Sequence, residues 1–353
     1  AGLARRLDLP RLLDERLFLL KRRLPYAESD HVLSQVYNLY AGGSCLEDLA
    51  NLQGSEAVRR LLGACRLPDP TTAGDFLRRF DRSALEALDE AIDEAQDQVW
   101  RRRFRKRRQP LAIVDLDSHV KEVYGAQKRG ADISYKGTWS YHPLVISLAG
   151  TQECLRLINR PGNTPSAEGA AGQLRGLLPR LGQRFRQVIV RGDSAFLDHE
   201  ILDTCADAGQ FFAIVMAGYP NVCDLADKLP EKAWHRFQPR DQRNKPHKGR
   251  KRRRRPNLRR QTARRRKKRD LKLRRQWVAE VPYQPARCTH AYRLIIRRQL
   301  IEEVDKQGNL FDLWRYRFAL TNLTDRSAEE VLDLTYRRCD QENLIEQLQN
   351  GLA

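Results

Sequence analysis

The spacing of apolar residues changes near Pro110. Before this point, apolar residues recur every three to four positions, first from Leu12 to Leu24 and later from Leu85 to Val99. This period is typical of amphipathic helices, and Ser83 is the predicted N-cap of the last of them. The pattern therefore predicts an all-helical N-terminal domain over residues 1–108.

Short apolar runs replace the helical period after Pro110. Four of these runs have the length and composition of strands that are buried on both faces. They are residues 111–117, 144–148, 188–190 and 211–215. Helical stretches at residues 166–181 and 199–208 alternate with the last three runs. Alternation of strands and helices is typical of an α/β fold.

The alternation ends near residue 221, where another pattern begins. Three β-like runs follow, at residues 277–282, 292–301 and 314–320. A final helix is predicted to begin after Ser327, because Glu330 stands three residues further on and the pair matches a capping box. The sequence thus predicts a group of strands inserted before a last helix.

Positive charge is concentrated in one segment of the chain. The sequence has 65 Lys and Arg against 45 Asp and Glu, a net charge of +20. Residues 241–275 contain 20 basic and 2 acidic residues, so this basic segment alone carries +18. Such an excess is typical of proteins that bind a polyanion, most often nucleic acid.

Several classes of protein do not fit the sequence. No apolar run reaches the length of about 18 residues that a membrane-spanning helix needs. The seven cysteines are scattered and form no Cys-x-x-Cys pair, which argues against a disulfide framework and favours a cytoplasmic setting. The chain begins without a signal-peptide core and without Met, and we therefore expect it to be a piece of a longer protein.

Acidic residues at strand ends are the first candidates for chemistry. Asp115 and Asp117 stand two apart on the first predicted strand and therefore share a face, and Asp193 ends a later strand. Each carboxylate alone could instead serve a salt bridge or a helix cap. Together with Glu342 on the last helix, they could form an oxygen-rich site of the kind Mg²⁺ prefers. Two such ions support cleavage of a phosphodiester bond.

Histidine chemistry is the competing explanation. His119 and His142 lie near the first strands and could bind zinc or serve as a general base. No His-Glu-x-x-His spacing accompanies them, and no glycine-rich phosphate loop is found. The acidic residues are therefore the stronger candidates.

Six short blocks follow one another along the chain. They are Asp115 to Ser118 with Val123 to Gly125, Tyr141 to Leu144, Arg160 to Asn163, Val190 to Phe196, Thr321 to Leu323, and Arg338 to Asn343. In this order they resemble the DDE transposases of bacterial insertion sequences, specifically the insertion-sequence family numbered thirteen-eighty. The resemblance covers nearly the whole chain.

The resemblance implies an α/β fold with an RNase H-like mixed sheet. It implies a helical DNA-binding domain at 1–108, a first part of the catalytic core at 109–220, a β-rich insertion with the basic segment at 221–321, and a Glu-bearing helix of the core at 322–353. The catalytic and metal-binding residues would be Asp117, Asp193 and Glu342, with Asp115 as a possible further ligand. The implied cofactor is Mg²⁺ or Mn²⁺.

The implied function is to cut DNA at the element ends and to join the 3′-hydroxyl to target DNA. The partners would be double-stranded DNA, as terminal inverted repeats and as target, and a second copy in a homodimer on DNA, with no membrane. The chain would lie in the bacterial cytoplasm with the nucleoid. The expected DNA-binding residues are Arg252, Arg253, Arg254, Arg255, Arg264, Arg265, Arg266, Lys267, Lys268 and Arg338.

The chain departs from the family pattern at several positions. Gln349 replaces a lysine, Tyr336 falls one residue from its expected place, and His119 stands where threonine is usual. Relatives also continue beyond the position of Ala353. These departures motivate the alternative of a truncated or decayed transposase that binds DNA without catalysis. A third hypothesis, a nucleic-acid packaging or RNA-binding protein, leaves the ordered acidic motifs without a role.

Overall fold

The fold is described from a computed structural model. It describes residues 1–64, 66–104, 107–237, 258, 270–304, 310–336 and 338–348. Most of the basic segment at 241–275 lies outside these residues. No helix in these ranges is both long enough and apolar enough to cross a membrane.

Helices make up the described N-terminal region. They are α1 (Gly2–Arg6), α2 (Leu9–Arg16), α3 (Glu28–Tyr40), α4 (Leu49–Gly54), α5 (Glu56–Leu62), α6 (Pro70–Leu77) and α7 (Arg82–Phe104), with a 3-10 turn at Leu46–Asp48. Their helical character agrees with the predicted period. The division of the chain into domains stays a prediction.

Helix α7 differs from the prediction in its cap and in its buried face. Asp81 is the capping residue, since its carboxylate accepts the N–H of Ala84 at 2.8 Å, whereas the predicted cap Ser83 donates its hydroxyl to Asp81. Of the predicted stripe, Leu85, Ile92 and Val99 are exposed, whereas Ala95 is buried and Leu88 packs against the core. The other inward-facing residues are Ala84, Ala91 and Trp100.

One nine-stranded sheet organises the rest of the described chain, with a small three-stranded sheet beside it. The strands are β1 (Gln109–Ser118), β2 (Lys121–Glu122), β3 (Asp132–Ile133), β4 (Trp139–Tyr141), β5 (Leu144–Leu148), β6 (Glu153–Ile158), β7 (Phe185–Gly192), β8 (Phe211–Met216), β9 (His235–Arg236), β10 (Asp270–Tyr283), β11 (Tyr292–Val304) and β12 (Leu310–Thr321). The order in the large sheet is β6-β5-β1-β7-β8-β12-β11-β10-β9.

The first five strands of this order define the fold class. β1 is antiparallel to β5, and β5 is antiparallel to β6, whereas β1, β7 and β8 run parallel. This mixed order is that of an RNase H-like sheet, and it confirms the predicted fold class. The long antiparallel strands β10, β11 and β12 continue the same sheet from the edge of β8.

Helices cover both faces of the large sheet. The further helices are α8 (Ala170–Arg184), α9 (His199–Asp207), α10 (Pro220–Asp227), α11 (Ala328–Tyr336) and α12 (Cys339–Glu346), with 3-10 turns at Ser194–Phe196 and Glu231–Ala233. Helices α8 and α9 pack on one face with the larger apolar cluster. Helix α11 packs on the opposite face, where Val331 and Leu332 contact a second cluster.

The predicted last helix is in fact two helices. The capping box at its start is confirmed, because Ser327 and Glu330 exchange hydrogen bonds of 2.9 and 3.3 Å. Helix α11 then ends at Tyr336, and α12 begins three residues later at Cys339, with Arg338 as its N-cap. The break redirects the chain toward the central strands.

A group of ion pairs attaches α7 to the large sheet. The Asp93 carboxylate accepts hydrogen bonds from Arg156 on β6, at 2.6 and 2.8 Å, and from Arg180 on α8, at 2.7 Å. The guanidinium of Arg180 also lies over the buried Trp100 ring, 4.8 Å from its centre. These side chains are largely shielded from water, so the pairs are screened less than surface pairs.

We expect Asp93→Ala to lower the free energy of unfolding by about 2–3 kcal/mol, because two shielded arginines lose charge-assisted hydrogen bonds while Arg180 keeps Asp97 and Arg156 keeps Asp89. Urea unfolding monitored by circular dichroism measures this change. Asp75→Ala is the matched control, since its pair with Arg78 is exposed and such pairs contribute about 1 kcal/mol or less. Equal effects of the two substitutions would contradict the role of Asp93.

Candidate active site

The predicted acids lie at one edge of the large sheet. Asp117 is the next to last residue of β1, and Asp193 directly follows the end of β7, the parallel neighbour of β1. The carboxyl ends of parallel strands meet at one edge, where ligands commonly bind in α/β sheets. The topology thus brings two of the three predicted acids to neighbouring positions.

Asp117 is held by its own strand and by the start of α12. Its Oδ1 accepts the N–H of Ser118 at 2.8 Å, and its Oδ2 lies 3.7 Å from Nη2 of Arg338. The Asp117 side chain is 25% exposed. It is therefore partly shielded from water and open on one side.

The pKa of Asp117 is raised above its usual value. Burial is the main cause; the Ser118 N–H and Arg338 oppose it, while the charges of Asp193 and Glu342 raise the pKa further. The three predicted acids therefore interact electrostatically. Asp117 is under-compensated in charge, and a bound cation would relieve this.

Asp193 occupies a tight turn after β7. Its carboxylate accepts the N–H of Ala195 at 2.9 Å and so caps the 3-10 turn Ser194–Phe196. A side chain at Gly192 would place its Cβ 2.7 Å from the Cβ of Phe196, so only glycine fits before Asp193. The Asp193 side chain itself is exposed.

Glu342 is exposed on α12, and its neighbour Gln341 attaches that helix to the sheet. The buried Gln341 amide donates to the carbonyl oxygens of Asp115 on β1, at 3.0 Å, and of Val145 on β5, at 3.4 Å. Gln341 was missed as a functional candidate. Its position next to Glu342, in the block from Arg338 to Asn343, was the sequence signal that could have identified it.

Asp115 is engaged in a buried ion pair and is not offered to a metal. Its two carboxylate oxygens accept hydrogen bonds from Nε and Nη2 of Arg191 at 2.6 and 2.7 Å. The Asp115 side chain is fully buried and that of Arg191 is 3% exposed. Arg191 also donates to the carbonyl oxygen of Leu334 at 2.8 Å. This corrects the expectation that Asp115 is a further metal ligand.

Arg338, expected to bind DNA, faces the acids instead. Its Nη2 donates to the carbonyl oxygen of Leu116 at 2.7 Å and to Oε1 of Gln341 at 3.1 Å. The side chain is only 15% exposed. Gln349 lies outside the described ranges. So do the other expected DNA-binding residues, which are Arg252, Arg253, Arg254, Arg255, Arg264, Arg265, Arg266, Lys267 and Lys268.

A second loop approaches Asp117 from the other side of β1. The Ser118 hydroxyl donates to the Ser166 hydroxyl at 2.9 Å. Arg160, almost fully buried, holds this loop by donating to the backbone carbonyls of residues 165, 166 and 168, at 2.6 to 3.3 Å, and of 142, at 3.0 Å. Arg160, the first residue of the sequence block from Arg160 to Asn163, thus fixes the loop that lies next to Asp117.

The two histidines show no sign of a metal centre. Nδ1 of the buried His142 donates to the carbonyl oxygen of Thr164 at 2.7 Å. Burial, with Lys136 and Lys121, lowers the pKa of His119, which favours its neutral form. In the described ranges, no three His, Cys, Asp or Glu side chains stand close enough to hold a metal ion, and this includes the three acids.

Comparison with known proteins identifies the family. Residues 2–353 match the family described as transposase DDE domain group 1, and the chain belongs to that family. No curated protein matches the sequence. Among solved structures, the chain is similar to piggyBac transposase in a synaptic complex with hairpin DNA, at 10% identity and a TM-score of 0.35. The match covers 97% of this chain but only 63% of that chain.

The ion pair and the exposed acid should differ in their effect on stability. We expect Asp115→Ala to lower the free energy of unfolding by about 3–5 kcal/mol, because Arg191 stays buried and uncompensated. Asp193→Ala should cost about 1 kcal/mol, as expected for loss of a cap. Urea unfolding without divalent cations measures both, and a small effect of Asp115→Ala would contradict the structural role.

The raised pKa of Asp117 predicts a pH dependence. The ionised Asp117 disfavours the folded state, so the parent loses stability relative to Asp117→Asn as pH rises above about 4, the ordinary pKa of an aspartate. The difference in unfolding free energy between the two proteins should widen over this range. Asp69→Asn is the control of opposite sign, because the Thr72 N–H lowers the pKa of Asp69. A pH-independent difference for Asp117→Asn would contradict the expectation.

Proposed function

We propose that this chain is the transposase of a bacterial insertion sequence, of the family numbered thirteen-eighty, which cuts DNA at element ends and joins the freed 3′-hydroxyl to target DNA. One observation carries the proposal: the charges of Asp193 and Glu342 both raise the pKa of Asp117, so the three acids interact electrostatically, and Asp117 and Asp193 stand at the ends of neighbouring parallel strands. Membership of the transposase DDE domain family supports the reaction class.

The cofactor we propose is Mg²⁺ or Mn²⁺, held by Asp117, Asp193 and Glu342. Carboxylate oxygens are suitable ligands for these hard cations. The under-compensated charge at Asp117 fits a bound cation, and the exposed Glu342 can move toward it. When bound, such ions activate a water or a 3′-hydroxyl and stabilise the leaving oxygen of a phosphodiester.

The residues around the acids set their positions. Ser118 orients the Asp117 carboxylate through its N–H, and Gly192 permits the turn that presents Asp193. Gln341 holds α12, the helix that bears Glu342, against β1 and β5. Arg338 provides a positive charge close to Asp117, where a phosphate of the substrate would also lie.

Double-stranded DNA is the proposed partner. The net charge of +20 favours a polyanion, and the basic segment at 241–275 would neutralise backbone phosphates. Sequence recognition of the terminal repeats would come from the N-terminal helices, because phosphate contacts carry no sequence information. We further propose that a homodimer acts on DNA in the bacterial cytoplasm, associated with the nucleoid.

The second candidate is a DNA-binding protein without catalysis. Two observations favour it: the described acids do not already converge into a metal site, and Arg338 gives Asp117 a positive neighbour of its own. On this reading, the chain would bind element ends but leave them uncut in Mg²⁺ and in Mn²⁺.

Cleavage of DNA that carries the terminal inverted repeats separates the two functions. We expect the parent to cut in Mg²⁺ or Mn²⁺ and Glu342→Gln to lose at least about 10²-fold in rate, as when one transition-state-stabilising group is removed. Glu346→Gln is the matched control, because Glu346 is exposed one turn further along the same helix. It should cut at the parental rate.

The outcomes of this assay are distinct. Binding by the parent without any metal-dependent cut supports the second candidate. If the parent cuts and Glu342→Gln cuts equally well, Glu342 is not a catalytic residue and the assignment of the site is wrong.

A further inference from the structure

Strand β12 extends beyond the edge of the sheet that carries the acids. Its residue Phe318 pairs with Met216, the last residue of β8, while Leu320 pairs with Ile214, which is level with Gly192 just before Asp193. The residues of β12 before Phe318 therefore run past that edge. At about 3.4 Å per residue, Arg315 lies roughly 10 Å beyond Met216. The inserted strands thus form a wall beside the candidate active site.

Arg315 and Arg317 lie on the same face of the sheet as Asp117, because Leu116 next to Asp117 and Phe318 next to Arg317 both pack in the larger apolar cluster on the other face. They alternate with Trp314, Tyr316 and Phe318 and so point to the opposite face from these rings. The guanidinium of Arg317 lies 5.8 Å from the ring centre of Tyr336, the last residue of α11. Arg191, which pairs with Asp115 two residues before Asp117, contacts α11 as well.

Arginine side chains stand both next to Asp117 and at the near end of this wall. Arg338 lies 3.7 Å from Asp117, and Tyr336 precedes it by two residues. The Tyr336 ring lies near two guanidinium groups, that of Arg297 at 5.4 Å and that of Arg317 at 5.8 Å. Tyr336 thus links the start of the Arg338 segment to the two arginines of β11 and β12.

The arginines of this region differ in their freedom to bind a ligand. Arg297 is partly buried, lies over the Phe237 ring at 4.9 Å, and donates from Nε to Oε1 of Gln276 at 2.7 Å. Arg315 and Arg317 are exposed, and neither makes an ion pair within the part of the chain that the structure describes. Arg297 thus supports Tyr336, while the two exposed arginines can reach an anion.

We propose that Arg315 and Arg317 form a binding surface for the phosphate backbone of double-stranded DNA beside the point of cleavage. The proposal rests on the proposed function for its substrate. Two positions on one face of a strand are about 7 Å apart, and each DNA strand carries a charge about every 3.4 Å of helix axis. The two side chains can therefore contact separate phosphates of one duplex.

Salt dependence of DNA binding tests this surface. Each phosphate contact contributes about 0.9 to the slope of log K against log salt. For Arg315→Gln/Arg317→Gln, we expect the magnitude of the slope to fall by about 1.8 relative to the parent, on a duplex of terminal-repeat sequence. Arg315→Lys/Arg317→Lys keeps the charge and should keep the parental slope.

Arg186→Gln is the matched control, because Arg186 is exposed near the start of β7, at the opposite edge of the same sheet. Its slope should equal that of the parent. An unchanged slope in the double Gln variant overturns the proposal. A slope that falls on an RNA duplex but not on the DNA duplex overturns it as well. If the double variant does not fold, Arg315→Gln alone should lower the slope by about 0.9.

Failure of this surface can be told apart from failure of the proposed function. Cleavage by the parent together with an unchanged slope in the double variant rejects the surface alone. A reduced slope in the double variant, with a parent that never cuts, retains the surface and rejects the catalytic function.

Discussion

The buried ion pair between Asp115 and Arg191 is the interaction on which the candidate active site depends. It joins the two central parallel strands, and it joins both to α11 through the carbonyl oxygen of Leu334. Each member stands two residues before a predicted acid, Asp117 on one strand and Asp193 after the other. Burial of either charge alone would be costly, but each neutralises the other. The same ion pair fixes the spacing between the ends of the two strands.

The third acid reaches the same edge by other means. Helix α12 buries Leu344, and two polar side chains attach it to the sheet. Gln341 and Arg338 donate to backbone carbonyls of β1, so this attachment does not depend on the side chains of β1. Attachment through the backbone leaves the face that bears Glu342 open to solvent. The backbone beneath the acids is therefore held rigidly, while the acid side chains that face solvent stay accessible to a ligand.

Much of the fold could be predicted because local pattern determines it. The apolar runs bounded by polar residues marked the strands, and Ser327 with Glu330 marked the start of α11. The buried side of α7 was predicted only in part, since periodicity finds an apolar stripe but not which of its residues the core selects. The fate of Asp115 could not be read either, because its partner Arg191 is 76 residues away. Long-range pairing has no signature in a single sequence.

The separation of Asp115 and Gln341 along the chain determines when, during synthesis, the three acids can approach one another. Their hydrogen bond spans 226 residues, and the whole insertion lies between them. At synthesis rates of about 5 to 20 residues per second, roughly 10 to 45 seconds separate their emergence. During this interval the nascent chain has its strand acids but no Glu342 beside them. Asp117 and Asp193 therefore cannot meet Glu342 until strands β8 to β12, which lie before it in the sequence, have all left the ribosome.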